Sequence, residues 1–119
     1  MYQLKKVAGR VSLILDWKKA GKDYIACLTG GDEHVGAVAV GFYDENSGRA
    51  TPSVITSPGH METEIAMSGA KAVSQSSKST SVFIVGIHLD NITKEEIDKI
   101  VYVSEEMIEE LSVIIQEGY

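Results

Sequence analysis

The chain has 119 residues, 44% apolar and 24% charged, an ordinary globular composition that can fill one core but not two. Eleven Lys and Arg against seventeen Asp and Glu leave a formal charge of −6 and a pI near 5.0, so neither nucleic acid nor an anionic membrane is an expected partner. No apolar stretch approaches the ~20 residues that span a bilayer, a lone cysteine cannot form an intrachain bridge, and MYQLKKVAGR does not open into the apolar run of a signal peptide; a cytoplasmic protein is expected.

Only Pro52 and Pro58 punctuate the chain, and no repeat or linker composition divides it, so residues 1–119 read as a single domain. Val11, Leu13, Leu15 and Trp17 alternate with more polar residues, the two-residue period of a half-buried strand; residues 18–22 form a turn and Tyr24 to Thr29 a second strand. After Gly30-Gly31-Asp32-Glu33, a tight connection, His34 to Tyr43 reads as a third strand. Val38, Val40 and Phe42 lie on one of its faces and the small Ala37, Ala39 and Gly41 on the other, where a helix or a second subunit can approach closely. Ala50 to Thr56 is a fourth strand, placed at an edge because Pro52 lacks a ladder N–H.

From Ser57 the period changes. Met61, Ile65, Gly69 and Val73 make the buried stripe of a helix, and Ser74 to Ser81 reads as a loop. Val82 to Ile87 is apolar at both parities, as in a central strand covered on both faces. Thr93 and Glu96 form a capping box with Ile92 and Ile97 as a hydrophobic staple, starting a last helix at Lys94 with a break possible near Tyr102. The expected fold class is α+β: one mixed or antiparallel sheet of order ββββαβα with its helices on one face.

The three histidines, His34, His60 and His88, all fall at element ends, where sites usually lie. A metal would take them with Asp32 or Asp90, but no H-E-x-x-H or Cys/His spacing fixes two ligands on one element. The alternative is histidines hydrogen-bonded to turns, and no metal ligands are assigned. In Thr56-Ser57-Pro58-Gly59-His60, Ser57 can cap the helix, Pro58 suits its first turn and Gly59 lets an anion approach free N–H groups. The alternative is an ordinary capped helix, whose dipole Glu62 and Glu64 already answer in part. Gly30-Gly31-Asp32 is neither a Walker loop nor a Rossmann fingerprint, and Cys27 lies mid-strand with no neighbour that would activate it. No G-x-S-x-G elbow or paired-carboxylate spacing favours catalysis, so a non-enzyme is expected. The apolar strand faces in so small a chain point to a homo-oligomer.

Three segments carry a resemblance: Leu28 to Val38 (LTGGDEHVGAV), Ser57 to Glu64 (SPGHMETE) and Gly86 to Thr93 (GIHLDNIT). Together they resemble the LpdD-like family, the small D subunit associated with gallate decarboxylase, over roughly Asp23 to Glu110. The resemblance implies a non-catalytic chaperone that binds prenylated flavin mononucleotide for a decarboxylase of the UbiD type, with that decarboxylase or a flavin prenyltransferase as partner. The positions that match are Gly30, Gly31, Asp32, His34, Gly36, Pro58, Gly59, His60, His88, Asp90 and Asn91. With Ser57 they form the candidate cofactor site, the flavin phosphate meeting the N–H groups after Ser57. The element order is also similar to that of the small eukaryotic proteasome assembly chaperones, which implies the alternative of a protein-binding scaffold without a ligand. A small metal-dependent enzyme using the three histidines is the third reading.

Overall fold

A computed structural model describes residues 2–57 and 61–118. The chain runs β1 (Tyr2–Ala8), β2 (Val11–Ala20), β3 (Asp23–Gly31), β4 (Ala37–Asp44), β5 (Arg49–Thr56), α1 (Met61–Ser77), β6 (Ser81–His88) and α2 (Lys94–Gln116). The six strands form one mixed sheet of order β1-β2-β3-β6-β4-β5, in which only β3 and β6 run parallel. The α+β class, the helices on one face, β6 at the centre and β5 at an edge are as expected.

The strand missing from the sequence reading is β1. Lys5 and Lys6 interrupt its apolar alternation, and it is a strand because a two-residue turn returns it onto β2, Ala8 opposite Val11. Gly9 takes φ +65° at the first turn position, as Gly21 does between β2 and β3, the arrangement of a II′ hairpin. Two helix boundaries also differ. Helix α1 continues through Ser74, which is fully buried and shares a 2.8 Å hydrogen bond with Ser81, while Ser81 Oγ donates to the Ala70 carbonyl at 2.8 Å. A polar run that looked like a loop is therefore helical because its inward serine is satisfied across the helix–sheet interface. Helix α2 is unbroken: Ser104 is buried within it beside Met107 and Ile108, so it caps nothing. At the start of α2 both halves of the capping box are present, Thr93 Oγ1 accepting the Glu96 N–H at 3.1 Å and Glu96 Oε1 accepting the Thr93 N–H at 3.0 Å.

The core lies between the sheet and the two helices. Leu13, Leu15, Leu28, Phe83 and Val85 from the strands meet Ile65, Val73, Ile100, Met107 and Leu111 from the helices, all fully buried. Each such side chain contributes about 1.5–3 kcal/mol on burial. The small face of β4 receives α1: a Cβ at Gly41 would strike the Ala70 carbonyl and Ser74, and one at Gly69 would meet the Phe83 ring at 2.6 Å.

On the opposite face no element among the described residues covers the sheet. The register aligns Asp16, Cys27, Ile84, Val38 and Ile55 in one row, and Lys18, Ile25, Val82, Val40 and Ser53 in the next. Ile25, Cys27, Val38, Val40, Val82 and Ile84 are half-exposed, and Ile55 and Phe42 are exposed. The expectation that β6 is covered on both faces is thus met on one face only within the chain.

Candidate functional site

At one end of the sheet the β3–β4 loop (residues 32–36) is laid across the end of β6. Gly31, at φ +66°, makes the turn with its backbone against the His88 carbonyl, which accepts the Asp32 N–H at 3.0 Å. The His34 carbonyl passes directly over Gly86, where any Cβ would collide with it, and the Gly36 N–H reaches Val85 O at 2.9 Å. Strand four therefore starts at Ala37, and His34 belongs to the loop, not to the strand that the alternation suggested. Gly30 faces away from the site, against Leu13, and acts in packing only.

Below this loop lies a carboxylate that the sequence reading assigned only to the helix dipole. Glu62, in the first turn of α1, is buried, accepts the Ile87 N–H at 2.9 Å and pairs with His34 Nε2 at 2.9 Å. Its carboxylate occupies the space a side chain at Gly36 would need. His34 Nδ1 lies 3.1 Å from the Asp32 carbonyl, so each ring nitrogen has an oxygen partner. Nothing in the spacing of Gly36 and Glu62 announces this contact, since 26 positions separate them in the sequence.

Across from His34, the His88 ring stands edge-on at 6.4 Å, with its Nε2 3.2 Å from Asp90 Oδ1. Asn91 turns the chain at φ +54°, a left-handed conformation that asparagine tolerates better than most residues. Arg10, from the β1–β2 turn, donates to the Asp90 carbonyl at 2.8 Å and pairs with Glu96. That ion pair, with the capping N–H of Thr93, holds the Glu96 carboxyl at about 2, well below its ordinary range. Arg10 went unremarked in the sequence because its partner lies 86 residues away.

Of the expected site residues, Gly31, Asp32, His34, Gly36, Ser57, His88, Asp90 and Asn91 are gathered at this one end. Pro58, Gly59 and His60 lie outside the described residues. The Ser57 hydroxyl and N–H both donate to the Gly36 carbonyl at 3.0 Å, while the N–H groups that it was expected to cap fall outside the described residues. Cys27 is on the open sheet face, half-buried, and burial pushes its thiol up, with Asp16 and Glu33 adding to the effect, so it is a poor nucleophile. Surface grooves flank the fold elsewhere. One of about 560 Å³ lies between the helices, rimmed by Glu64, Asp98 and Glu105; another of about 440 Å³, at the opposite end of the sheet, carries Lys19, Lys22 and Lys78.

A mixed sheet with both helices on one face, and short loops gathered at one sheet end, define a small α+β domain. The chain belongs to the prenylated flavin chaperone LpdD-like domain family, whose model matches residues 7–116. The fold is shared with a chain in the crystal structure of a novel chaperone complex for yeast 20S proteasome assembly, with a TM-score of 0.64 over 94% of this chain and 95% of that one. At 7% identity that likeness is one of fold alone. No curated protein matches the sequence. No helix among the described residues is long and apolar enough to cross a membrane.

Proposed function

We propose that the protein is a non-catalytic carrier that binds prenylated flavin mononucleotide at the sheet end bearing His34 and His88 and hands it to a decarboxylase of the UbiD type, or receives it from a flavin prenyltransferase. The observation that carries this reading is the convergence of the three family-like segments: the 32–36 loop, Ser57 with the first described turn of α1, and the end of β6 with the loop after it come together, although 20 or more residues separate each from the next. His34, doubly hydrogen-bonded beside a buried carboxylate, is a rigid group that an isoalloxazine edge or a phosphate can meet, and Asn91 and the loop N–H groups add donors.

The test is titration of the protein with flavin mononucleotide and with its prenylated form, by calorimetry and flavin absorbance, with His34→Ala and His60→Ala alongside. Saturable binding of the prenylated form that weakens at least tenfold in either variant is expected. Loss of binding in Lys22→Ala or Lys78→Ala, with both histidine variants unaffected, would move the flavin to the opposite groove. No binding of either form by folded protein would overturn the carrier reading.

A second reading has its own observation. The open sheet face spans five strands at ~4.8 Å and about six residues at ~3.3 Å, roughly 500 Å² in projection. That is the scale at which an apolar patch marks an interaction surface. We read it as the contact between two copies of this chain, because a second identical face would cover its half-exposed Ile25, Val38, Val40, Val82 and Ile84. A partner-binding scaffold would use the same face for a different protein. Light scattering separates the two: a dimer of this chain alone supports the first.

A further inference from the structure

Beyond the flavin, we infer that Asp32, His88 and Asp90 form a divalent transition-metal site at the end of β3 and β6. One ligand atom from each lies within 4.8 Å of the other two. Ligands around 2.1 Å from a shared cation stand about 3 Å apart. The His88 Nε2 to Asp90 Oδ1 pair, at 3.2 Å, already has that spacing, and rotation of the exposed Asp32 side chain closes the rest.

The backbone beneath the three groups is held in place. Asp32 is fixed by its N–H to the His88 carbonyl, His88 ends the central strand, and the Asp90 carbonyl is gripped by Arg10, which Glu96 anchors in turn. Ligands held by such outer contacts bind without the entropy cost of gathering them.

Charge points the same way. Two carboxylates lie close together here and among the described residues neither forms a salt bridge to a lysine or arginine; Arg10, whose charge acts on Asp90, directs its hydrogen bonds to the Asp90 backbone and to Glu96. A dication supplies the missing charge. The imidazole selects manganese, cobalt or zinc over magnesium and calcium, which prefer all-oxygen shells. Three protein ligands on an exposed surface leave positions open for water or an anionic oxygen. His34 is not a ligand, since both its ring nitrogens are engaged by Asp32 O and Glu62.

The three ligands belong to the sheet end proposed for the flavin, and the metal is tested without flavin so that the two readings can fail separately. Metal-stripped protein is titrated with MnCl2, followed by electron paramagnetic resonance, and with ZnCl2 by calorimetry, using MgCl2 as the comparison. One site per chain in the micromolar range or tighter for manganese or zinc is expected, at least tenfold weaker for magnesium. His88→Ala and Asp90→Asn should each weaken it tenfold or more, while Glu109→Gln, exposed on α2, leaves it within about threefold. Because all three groups are exposed, the variants should keep the parent circular dichroism and melting curve. No saturable binding below millimolar metal, or binding that His88→Ala leaves unchanged, would overturn the site. The flavin titration repeated in EDTA reads the carrier proposal separately.

Discussion

The two faces of this sheet are built from the same alphabet and meet different ends. On the helix side Leu13, Leu15, Leu28, Phe83 and Val85 are fully buried; on the other, Ile25, Val38, Val40, Val82 and Ile84 stand half-exposed with nothing over them. Alternation along the strands supplies two apolar faces, while two helices suffice to cover one. Residue type therefore reports the capacity of a strand to be buried, and the number of covering elements decides whether one chain can use it.

The comparison is broken most severely on the covered face. Phe83→Ala leaves a cavity against Gly69 and α1 and is expected to cost about 3–5 kcal/mol in chemical denaturation, enough to unfold a marginal domain. At the sheet end, Gly86→Ala drives a methyl into the His34 carbonyl. We expect a loss of about 1–3 kcal/mol in thermal unfolding, together with displaced His34 and Glu62 resonances, because the 32–36 loop must lift off β6.

On the open face the outcome should be different in kind. Ile84→Glu should leave the monomer folded, with a loss of at most about 1 kcal/mol, and abolish any dimer seen by light scattering. A large loss of monomer stability instead would mean that this face is covered from within the chain. Cys27 sharpens the point, since it sits beside Ile84: alkylation at neutral pH should be slow and should slow further as protein concentration rises, and Ile84→Glu should remove the concentration dependence.

The smallest expected effect is one of pH. Glu96 titrates near 2 in the folded protein against an ordinary 4.5, so its pairing with Arg10 stabilises fully above pH 4.5 and is lost as pH falls towards 2. Glu96→Gln should flatten that part of the acid unfolding curve, lowering stability slightly at pH 7 and converging on the parent near pH 2. Salt should mimic the variant, because the pair is at the surface.

Local chemistry made much of this legible. The capping box at Thr93 is written in four residues, the edge position of β5 in Pro52, and the close approach of α1 in Ala37, Ala39 and Gly41. The strand β1, the helical state of Ser74 to Ser77 and the continuity of α2 were not, because each rests on a partner outside its own segment: β2 across a hairpin turn for the strand, Ser81 on the next strand for the serine run, the sheet-facing core for Ser104. The candidate site divides in the same way. Its glycines, histidines and aspartates stand out as motifs, whereas Glu62, Arg10 and Gly86 become site residues only when the loop crosses β6.

The sequence by itself determined the elements, their apolar faces and the loop residues rich in chemistry, since propensity, periodicity and capping act over a few residues. Only the tertiary structure decided which face remained open, that Glu62 would meet His34, and that Asp32, His88 and Asp90 would share one corner. Those are contacts between segments far apart in the chain, and their geometry is set by the packing of the whole sheet.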